Sequence, residues 1–197
     1  LASSPLPYIF NDLPNFALGK LDGISKVMLA YGYRVGFLTF FANTLNGSGL
    51  DEAALAGYRA EVGTKIGGFV RGEISQVGHH GQILADALMD EIGKVDEERT
   101  RVIEMLQKRW KALMAGLDAG YSKYGKEKIW ADPCNGGFFC YLNCAKGIDP
   151  KDLADRLLKE KKVGVVPSAN GLRVAFAGVP EAKIARLVSS IFEVVYA

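Results

Sequence analysis

Asp22-Gly23-Ile24-Ser25-Lys26 and, beginning six residues after Lys26, Gly32-Tyr33-Arg34-Val35-Gly36 are the two segments that indicate the fold class most directly. A lysine amine can form an imine with an aldehyde when its surroundings lower its pKa enough to leave it neutral. Arg34 lies between two glycines, where small residues let the backbone approach closely and a guanidinium offers a planar fork to a phosphate. Lys26 alone reads as a solvated loop lysine and Arg34 alone as a strand-edge salt-bridge partner. Together they are a more specific signal of chemistry.

The residues around this stretch predict short strands followed by a helix. A strand candidate at Phe16–Leu21 leads into a polar turn at residues 22–25, and the apolar run of residues 33–41 predicts a buried strand. Residues 1–15 carry three prolines and read as a loop-rich entry. A helix is predicted from about Asp51 to Ile66, because its acidic first turn suits the positive end of the helix dipole.

The second half of the chain predicts a long helix and a compact α+β unit. Between about Glu97 and Tyr121, apolar residues three or four apart draw one stripe along a helix that we expect to join two domains. After it, strands are predicted at residues 136–142, 163–167 and 172–177, and helices at residues 149–161 and 181–195. Within the first of these strands, Phe138 and Phe139 are expected in the core, and one of the two is also a candidate to border a substrate pocket.

Composition and charge narrow the class of function. The 24 basic and 22 acidic residues leave a formal net charge of +2, with no block of like charges that would mark a nucleic-acid surface. No apolar run approaches the roughly 18 residues of a membrane span. The three cysteines lack a CxxC pair, and the adjacent His79 and His80 lack a further ligand at metal-binding spacing. We therefore expect no nucleic acid, membrane or metal partner, and reduced cysteines in a cytoplasmic protein.

The chain resembles a known enzyme family over nearly its whole length. Ser25-Lys26 followed by Gly32-Tyr33-Arg34-Val35-Gly36 is similar to the signature of the class I/II aminotransferases, fold type I enzymes that depend on pyridoxal 5'-phosphate and include the aspartate aminotransferases. Four further blocks follow in the family's order: Val70–Ser75, Asn135–Phe139, Lys161–Pro167 and Asn170–Phe176. The resemblance implies an α/β fold that matches only about the second half of a family member. The absence of an initiator methionine also leads us to expect that the chain begins inside a longer polypeptide.

The resemblance also implies domains and partners. Residues 1–103 are expected to be the C-terminal part of the large cofactor-binding domain, and residues 104–197 the small C-terminal α+β domain, with the long helix linking them. Family members are homodimers, and their substrates are amino acids and 2-oxo acids.

Roles for individual residues come from the same resemblance. Lys26 matches the family's catalytic lysine, which holds the cofactor as a Schiff base and shuttles the substrate's Cα proton; Ser25 and Arg34 match residues that bind the cofactor. Arg173 matches the arginine that grips the α-carboxylate of the amino acid. Arg71 aligns with an arginine that, in aspartate-type members, reaches across the dimer to a dicarboxylic substrate. As ordinary residues, Arg173 would be a surface arginine, Arg71 a helix-end arginine and Ser25 a turn cap.

Two departures from the family affect what can be carried over. Gly23 occupies a position where members often have a serine that contributes to phosphate binding. The aspartate that pairs with the pyridine nitrogen, and the aromatic residue that stacks on the ring, lie further upstream in the family than this sequence reaches.

The function expected from these observations is transamination between an amino acid, aspartate or another dicarboxylic one among the candidates, and a 2-oxo acid. The same fold supports decarboxylases, β-lyases and acyl-transferring synthases, because different bonds at Cα can break. Two alternatives remain: an aminotransferase-like effector domain of a transcription regulator, and an inactive fragment of the enzyme.

Overall fold

The structure, a computed structural model, describes residues 17–42 and 49–197. The chain divides into two compact units, Leu1–Arg99 and Thr100–Ala197. This division falls inside a long helix. The predicted domain boundary after residue 103 falls in the same helix and stays a prediction. The loop-rich entry predicted for residues 1–15 lies outside the described residues.

The first unit contains a two-stranded antiparallel ribbon. Strand β1 (Ala17–Gly23) pairs with strand β2 (Gly36–Ala42), and the register ends with Gly23 opposite Gly36. Glycine suits this end, because a Cβ on Gly36 would lie 3.0 Å from the carbonyl oxygen of Asp22, a tight contact. The two strands therefore approach closely where the chain leaves and re-enters the ribbon.

The segment between the two strands, residues 24–35, contains the predicted lysine and is called the lysine loop below. It begins with one helical turn, α1 (Ile24–Val27), and continues through a 3-10 turn at Tyr31–Tyr33. Buried apolar residues pin the loop to a later helix in a small core made of Ile24, Ala30, Val35 and Ala85. The loop is thus anchored at Ile24, Ala30 and Val35, while most of its other side chains are exposed.

Two expectations for this region are wrong. Residues 22–25 do not form a polar turn: Gly23 completes the ribbon, and Ile24 starts α1 with a side chain only 2% exposed. Strand β2 is not buried, since Phe37, Leu38 and Phe40 are 45%, 50% and 46% exposed. The physical reason is that the described residues leave the faces of the two-stranded ribbon partly uncovered, whereas pairing with β1 satisfies only the backbone along one edge.

Three helices follow the ribbon. Helix α2 (Glu52–Glu73) begins after Asp51, whose side chain accepts a hydrogen bond of 2.8 Å from the Ala54 amide and so caps the first turn. The predicted helix is confirmed, but it ends at Glu73 and not at Ile66, about two turns further along the chain. None of its residues is buried. Helix α3 (His79–Asp90) precedes α4 (Ile92–Tyr124), which contains the predicted long helix.

The second unit is built on a four-stranded antiparallel sheet. Its strands are β3 (Ile129–Ala131), β4 (Cys140–Cys144), β5 (Val166–Ser168) and β6 (Gly171–Val174), in the spatial order β3-β4-β6-β5. Helix α5 (Pro150–Arg156) continues as a π-helical turn at Leu157–Lys161, and α6 (Glu181–Tyr196) closes the chain.

The core of this unit lies between the sheet and the helices. Leu142 and Leu172 of the sheet and Ile184, Ile191 and Phe192 of α6 are at most 1% exposed. The ring of Phe192 is the centre of an aromatic group. The Tyr121 ring is edge-on to it at 5.5 Å, and the Tyr124 and Tyr196 rings are stacked on it at 5.9 and 6.2 Å. The unit therefore has a continuous apolar core of its own.

The predicted elements of this unit exist with shifted bounds. Both predicted helices are confirmed, and the strands are shorter than predicted. The predicted strand at residues 136–142 starts only at Cys140, because Gly136 and Gly137 adopt φ values of 143° and 99°, which break an extended backbone. The core placement predicted for Phe139 is wrong, since its side chain is 41% exposed.

We expect Gly81→Ala to loosen the lysine loop. A Cβ at this position, in the first turn of α3, would lie 2.8 Å from the Tyr33 carbonyl oxygen and would also overlap the Val35 side chain. Overpacking of this kind costs about 1–3 kcal/mol. Hydrogen exchange of peptides covering residues 24–35 should become faster. Gly72→Ala is the matched control because a Cβ there meets nothing within 4 Å; unchanged exchange in both variants would contradict the packing argument.

Candidate active site

The lysine loop brings the two predicted cations to one aromatic ring. The Lys26 Nζ atom lies 5.2 Å from the centroid of the Tyr31 ring, and the Arg34 Cζ atom lies 5.1 Å from the same centroid. Both distances fall within the range in which a ring attracts a cation. Because the chain turns at α1 and again at the 3-10 turn, Lys26 and Arg34 contact the same ring although they are eight residues apart in the sequence.

Arg34 is held in an uncommon backbone conformation. Its φ of 55° and ψ of 44° place it in the left-handed region, which costs a residue with a Cβ roughly 1–2 kcal/mol. From there its Nη1 donates to the Tyr31 carbonyl oxygen at 3.2 Å and to the Ser25 Oγ at 3.5 Å. The structure therefore brings Ser25, Lys26 and Arg34 close together on the lysine loop.

These three residues fit the phosphate and aldehyde of pyridoxal phosphate. A phosphate needs positive charge and hydrogen-bond donors, and Arg34 with the Ser25 hydroxyl supplies both. Two cations on one ring repel each other, so a dianion bound at Arg34 would offset that repulsion. The Lys26 amine is exposed beside them, where an aldehyde can reach it.

A cavity of about 470 Å³ opens beside Arg34. Asp22 and Phe37 line it from the ribbon, and Val70 and Ile74 line it from the end of α2. Among the described residues in its wall, Arg34 is the only lysine or arginine. The cavity therefore places a guanidinium next to an apolar surface.

Arg71 makes contacts that belong to the end of its own helix. Its Nη1 donates to the Ser75 Oγ at 2.8 Å and to the Ser75 carbonyl oxygen at 3.3 Å. Ser75 has a positive φ of 64°, as residues just beyond a helix C-terminus often do. Arg71 thus secures the turn after α2, and it is not among the residues that line the cavity beside Arg34.

Arg173 belongs to the second unit. It lies on β6 with its side chain exposed, between Leu172 and Val174, whose side chains are buried. Tyr141 is opposite it on β4, and the ring of Phe139 lies 4.9 Å from its Cζ. Among the residues that the structure describes, no carboxylate forms an ion pair with it. Its guanidinium is therefore open to a carboxylate from solution.

Two contacts of the candidate site residues were not predicted from the sequence. Tyr31 links Lys26 to Arg34, and its place five residues after the lysine and three before the arginine was the available signal. The contact of the Phe139 ring with Arg173 was also not predicted, although one of the two phenylalanines was a candidate to border a pocket.

Three further observations on the described residues concern cysteine reactivity, metal binding and membrane-spanning helices. Burial, with smaller contributions from Cys134 and Asp132, raises the pKa of the Cys140 thiol to about 11. A thiol with that pKa is protonated at neutral pH and is a poor nucleophile. Within residues 17–42 and 49–197, no group of three histidine, cysteine or acidic side chains is placed to hold a metal ion. Over the same residues, no helix is both long and apolar enough to span a membrane.

The sequence of the chain matches one known protein family. The model of the family described as aminotransferase class I and II matches residues 10–191. No curated protein matches the sequence.

Several solved structures share the fold. An aminotransferase from Anaerococcus prevotii is 22% identical with a TM-score of 0.70, and the match covers 96% of this chain and 42% of that one. A multiple substrate aminotransferase from Thermococcus profundus is 23% identical with a TM-score of 0.64, covering 90% and 40%. The α-aminoadipate aminotransferase from Thermus thermophilus, complexed with N-(5'-phosphopyridoxyl)-L-leucine, is 20% identical with a TM-score of 0.63, covering 96% and 44%. The chain spans about two fifths of the length of these structures.

Proposed function

The chain belongs to the aminotransferase class I and II family, and we propose that the intact protein transfers an amino group between an amino acid and a 2-oxo acid with Lys26 carrying pyridoxal phosphate. The observation that supports this most directly is the pair of cations on Tyr31, at 5.2 Å for Lys26 and 5.1 Å for Arg34. An amine and a guanidinium that contact the same ring suit a cofactor that carries an aldehyde and a phosphate.

Each residue has a defined task in the proposed reaction. Pyridoxal phosphate, when bound, supplies an electron sink that makes the Cα–H bond of an amino acid acidic. The guanidinium of Arg34 and the hydroxyl of Ser25 hold the phosphate. The Lys26 amine would hold the aldehyde of the cofactor and, as a free amine, would accept the proton from Cα of the substrate. Arg173 fixes the α-carboxylate so that the Cα–H bond keeps one orientation.

The substrate side chain is a further part of the proposal. Arg71 is the residue in the first unit that would bind the second carboxylate of aspartate or glutamate. To do so its guanidinium would exchange the Ser75 hydroxyl and carbonyl for that carboxylate. A homodimer in the cytoplasm is proposed on the family's pattern together with the cysteine usage of this chain.

The proposal is tested by incubating the intact protein with pyridoxal phosphate, 2-oxoglutarate and one amino acid at a time. Aspartate, alanine and phenylalanine labelled with ¹⁵N should differ in how fast label enters glutamate, and the rates identify the preferred donor. Release of carbon dioxide or of a β-substituent without transfer of label would point to other chemistry at Cα. Cofactor binding with no reaction of any amino acid would favour the effector domain of a regulator.

We expect Arg34→Gln to weaken cofactor binding by about 10- to 100-fold. A hydrogen bond to a charged group contributes about 1.5–3 kcal/mol, and 1.4 kcal/mol corresponds to a factor of ten in affinity. The dissociation constant of pyridoxal phosphate is measured by equilibrium dialysis. Arg59→Gln, which removes an exposed arginine from α2, serves as the charge-matched control. Equal affinities in both variants would show that Arg34 does not hold the phosphate.

A further inference from the structure

We infer that Phe139 is a positioning residue that holds the Arg173 guanidinium ready for the substrate carboxylate, an inference that rests on the proposed function. The Arg173 Cζ lies 4.9 Å from the centroid of the Phe139 ring. A guanidinium within about 6 Å of a ring centroid is attracted to the face of the ring. Phe139 acts through Arg173, so it is a positioning residue and not a catalytic one.

The strand register places the two side chains on the same face of the sheet. Tyr141 is opposite Arg173 and Cys140 is opposite Val174. Because side chains alternate along a strand, Phe139 shares a face with Tyr141 and is a diagonal neighbour of Arg173. The Ala177 amide, in the 3-10 turn that follows β6, donates to the Phe138 carbonyl oxygen at 3.3 Å. This bond fixes the backbone from which the Phe139 ring projects.

The same loop is tied to the long helix. The Arg109 side chain on α4 donates through Nη1 to the carbonyl oxygen of Ala177. Ala177 therefore connects α4, the segment before β4 and the turn after β6. These contacts hold the backbones on either side of the Arg173–Phe139 pair.

The exposure of the pair argues for a role on the open face. Phe139 is 41% exposed, while Leu172 and Val174 on the other face of β6 are at most 1% exposed. The described strand neighbours of Arg173 on its own face, Tyr141 and Val166, carry no negative charge. The guanidinium is thus held by a ring rather than by a carboxylate.

Contact with a ring leaves the N–H donors of the guanidinium able to bind a carboxylate. A stacked ring covers the face of the guanidinium, whereas its five N–H donors lie in the plane and at the edge. A protein carboxylate would occupy those donors and compete with the substrate. A ring restricts the arginine rotamers without competing, so less side-chain entropy is lost when a carboxylate binds.

The test compares Phe139→Leu, which removes the ring, with Phe139→Tyr, which keeps it, in the intact protein. We expect Phe139→Leu to raise the KM for the amino acid about two- to five-fold, the range of an exposed cation–π contact, with kcat unchanged within two-fold. Phe139→Tyr should keep both parameters near their original values. In an Arg173→Gln background, Phe139→Leu should change KM no further. A lowered kcat, or the same KM effect without Arg173, would overturn the inference.

A second measurement keeps the inference separate from the proposed function. In protein labelled with ¹⁵N-arginine, the Arg173 Nε resonance is followed during titration with propionate, which has a carboxylate but no amine to react. Phe139→Leu should weaken propionate binding by the same two- to five-fold, and Phe139→Tyr should not. If propionate binds with this pattern but no amino acid reacts, the proposed function fails and the positioning role stands. If amino acids react but Phe139→Leu leaves propionate binding unchanged, only the positioning role fails.

Discussion

Replacement of Lys26 by alanine is expected to abolish the proposed transamination, lowering kcat by at least about 10³-fold. In the proposed reaction the amine attaches the cofactor and transfers the proton at Cα, and proton transfer by a positioned group alone contributes about 10²–10⁴-fold. The absorbance of the imine between lysine and cofactor should vanish with the activity. Both are measured on the purified intact protein with saturating pyridoxal phosphate.

Two further variants make the Lys26 result specific. Lys26→Arg keeps the positive charge beside Tyr31 but offers no amine that can form an imine or give up a proton, so it should be as inactive as the alanine variant. Lys65→Ala removes an exposed lysine that pairs with Glu61 on α2 and should leave activity unchanged. Activity in Lys26→Arg above a tenth of the original would mean that Lys26 contributes charge rather than chemistry.

Phe192→Ala will produce the largest loss of stability, about 3–5 kcal/mol in the free energy of unfolding of the second unit. Its side chain is 0% exposed and lies among the rings of Tyr121, Tyr124 and Tyr196. Removing a buried phenylalanine loses its transfer free energy and leaves a cavity that neighbouring groups fill only in part. The rings that face it also lose their aromatic partner.

Hydrogen exchange of peptides from Thr100–Ala197 in increasing urea measures this change without interference from the rest of the protein. Leu158→Ala is the control, because its side chain is 55% exposed and its removal should cost no more than about 0.5 kcal/mol. Equal losses in the two variants would show that the aromatic group is not the centre of this core.

The helices were the most predictable part of the fold. The apolar stripe from Glu97 to Tyr121 predicted α4 correctly, because this helix has one face that is buried in the second unit, at Leu113 and Leu117. Helix α2 was located by its acidic first turn, but its end was not located, since a helix without a buried face has no periodic apolar pattern that stops where the helix ends. The burial of β2 was mispredicted because an apolar run shows only that the side chains of a strand favour burial. It does not show whether another layer of the protein packs over that strand.

The site could be predicted only as a set of residue identities. The spacing of Lys26 and Arg34 matched a family signature, and the structure groups them with Ser25 on the lysine loop. Tyr31 escaped notice because the approach of its ring depends on the left-handed backbone at Arg34, which no residue preference predicts for an arginine. The role of Phe139 depends on a cross-strand diagonal, and that relation needs the register of β4 against β6.

The exposed ribbon has a consequence for handling the protein. Residues 36–41 of β2 contain no charged side chain and no proline, and β2 has β1 as its only partner among the described strands. An uncharged apolar strand with an unpaired edge is a template on which further copies can add by backbone hydrogen bonding. Expression of this chain by itself will therefore favour inclusion bodies, and a lysine in place of Leu38, which is half exposed, is the substitution that should keep it in solution.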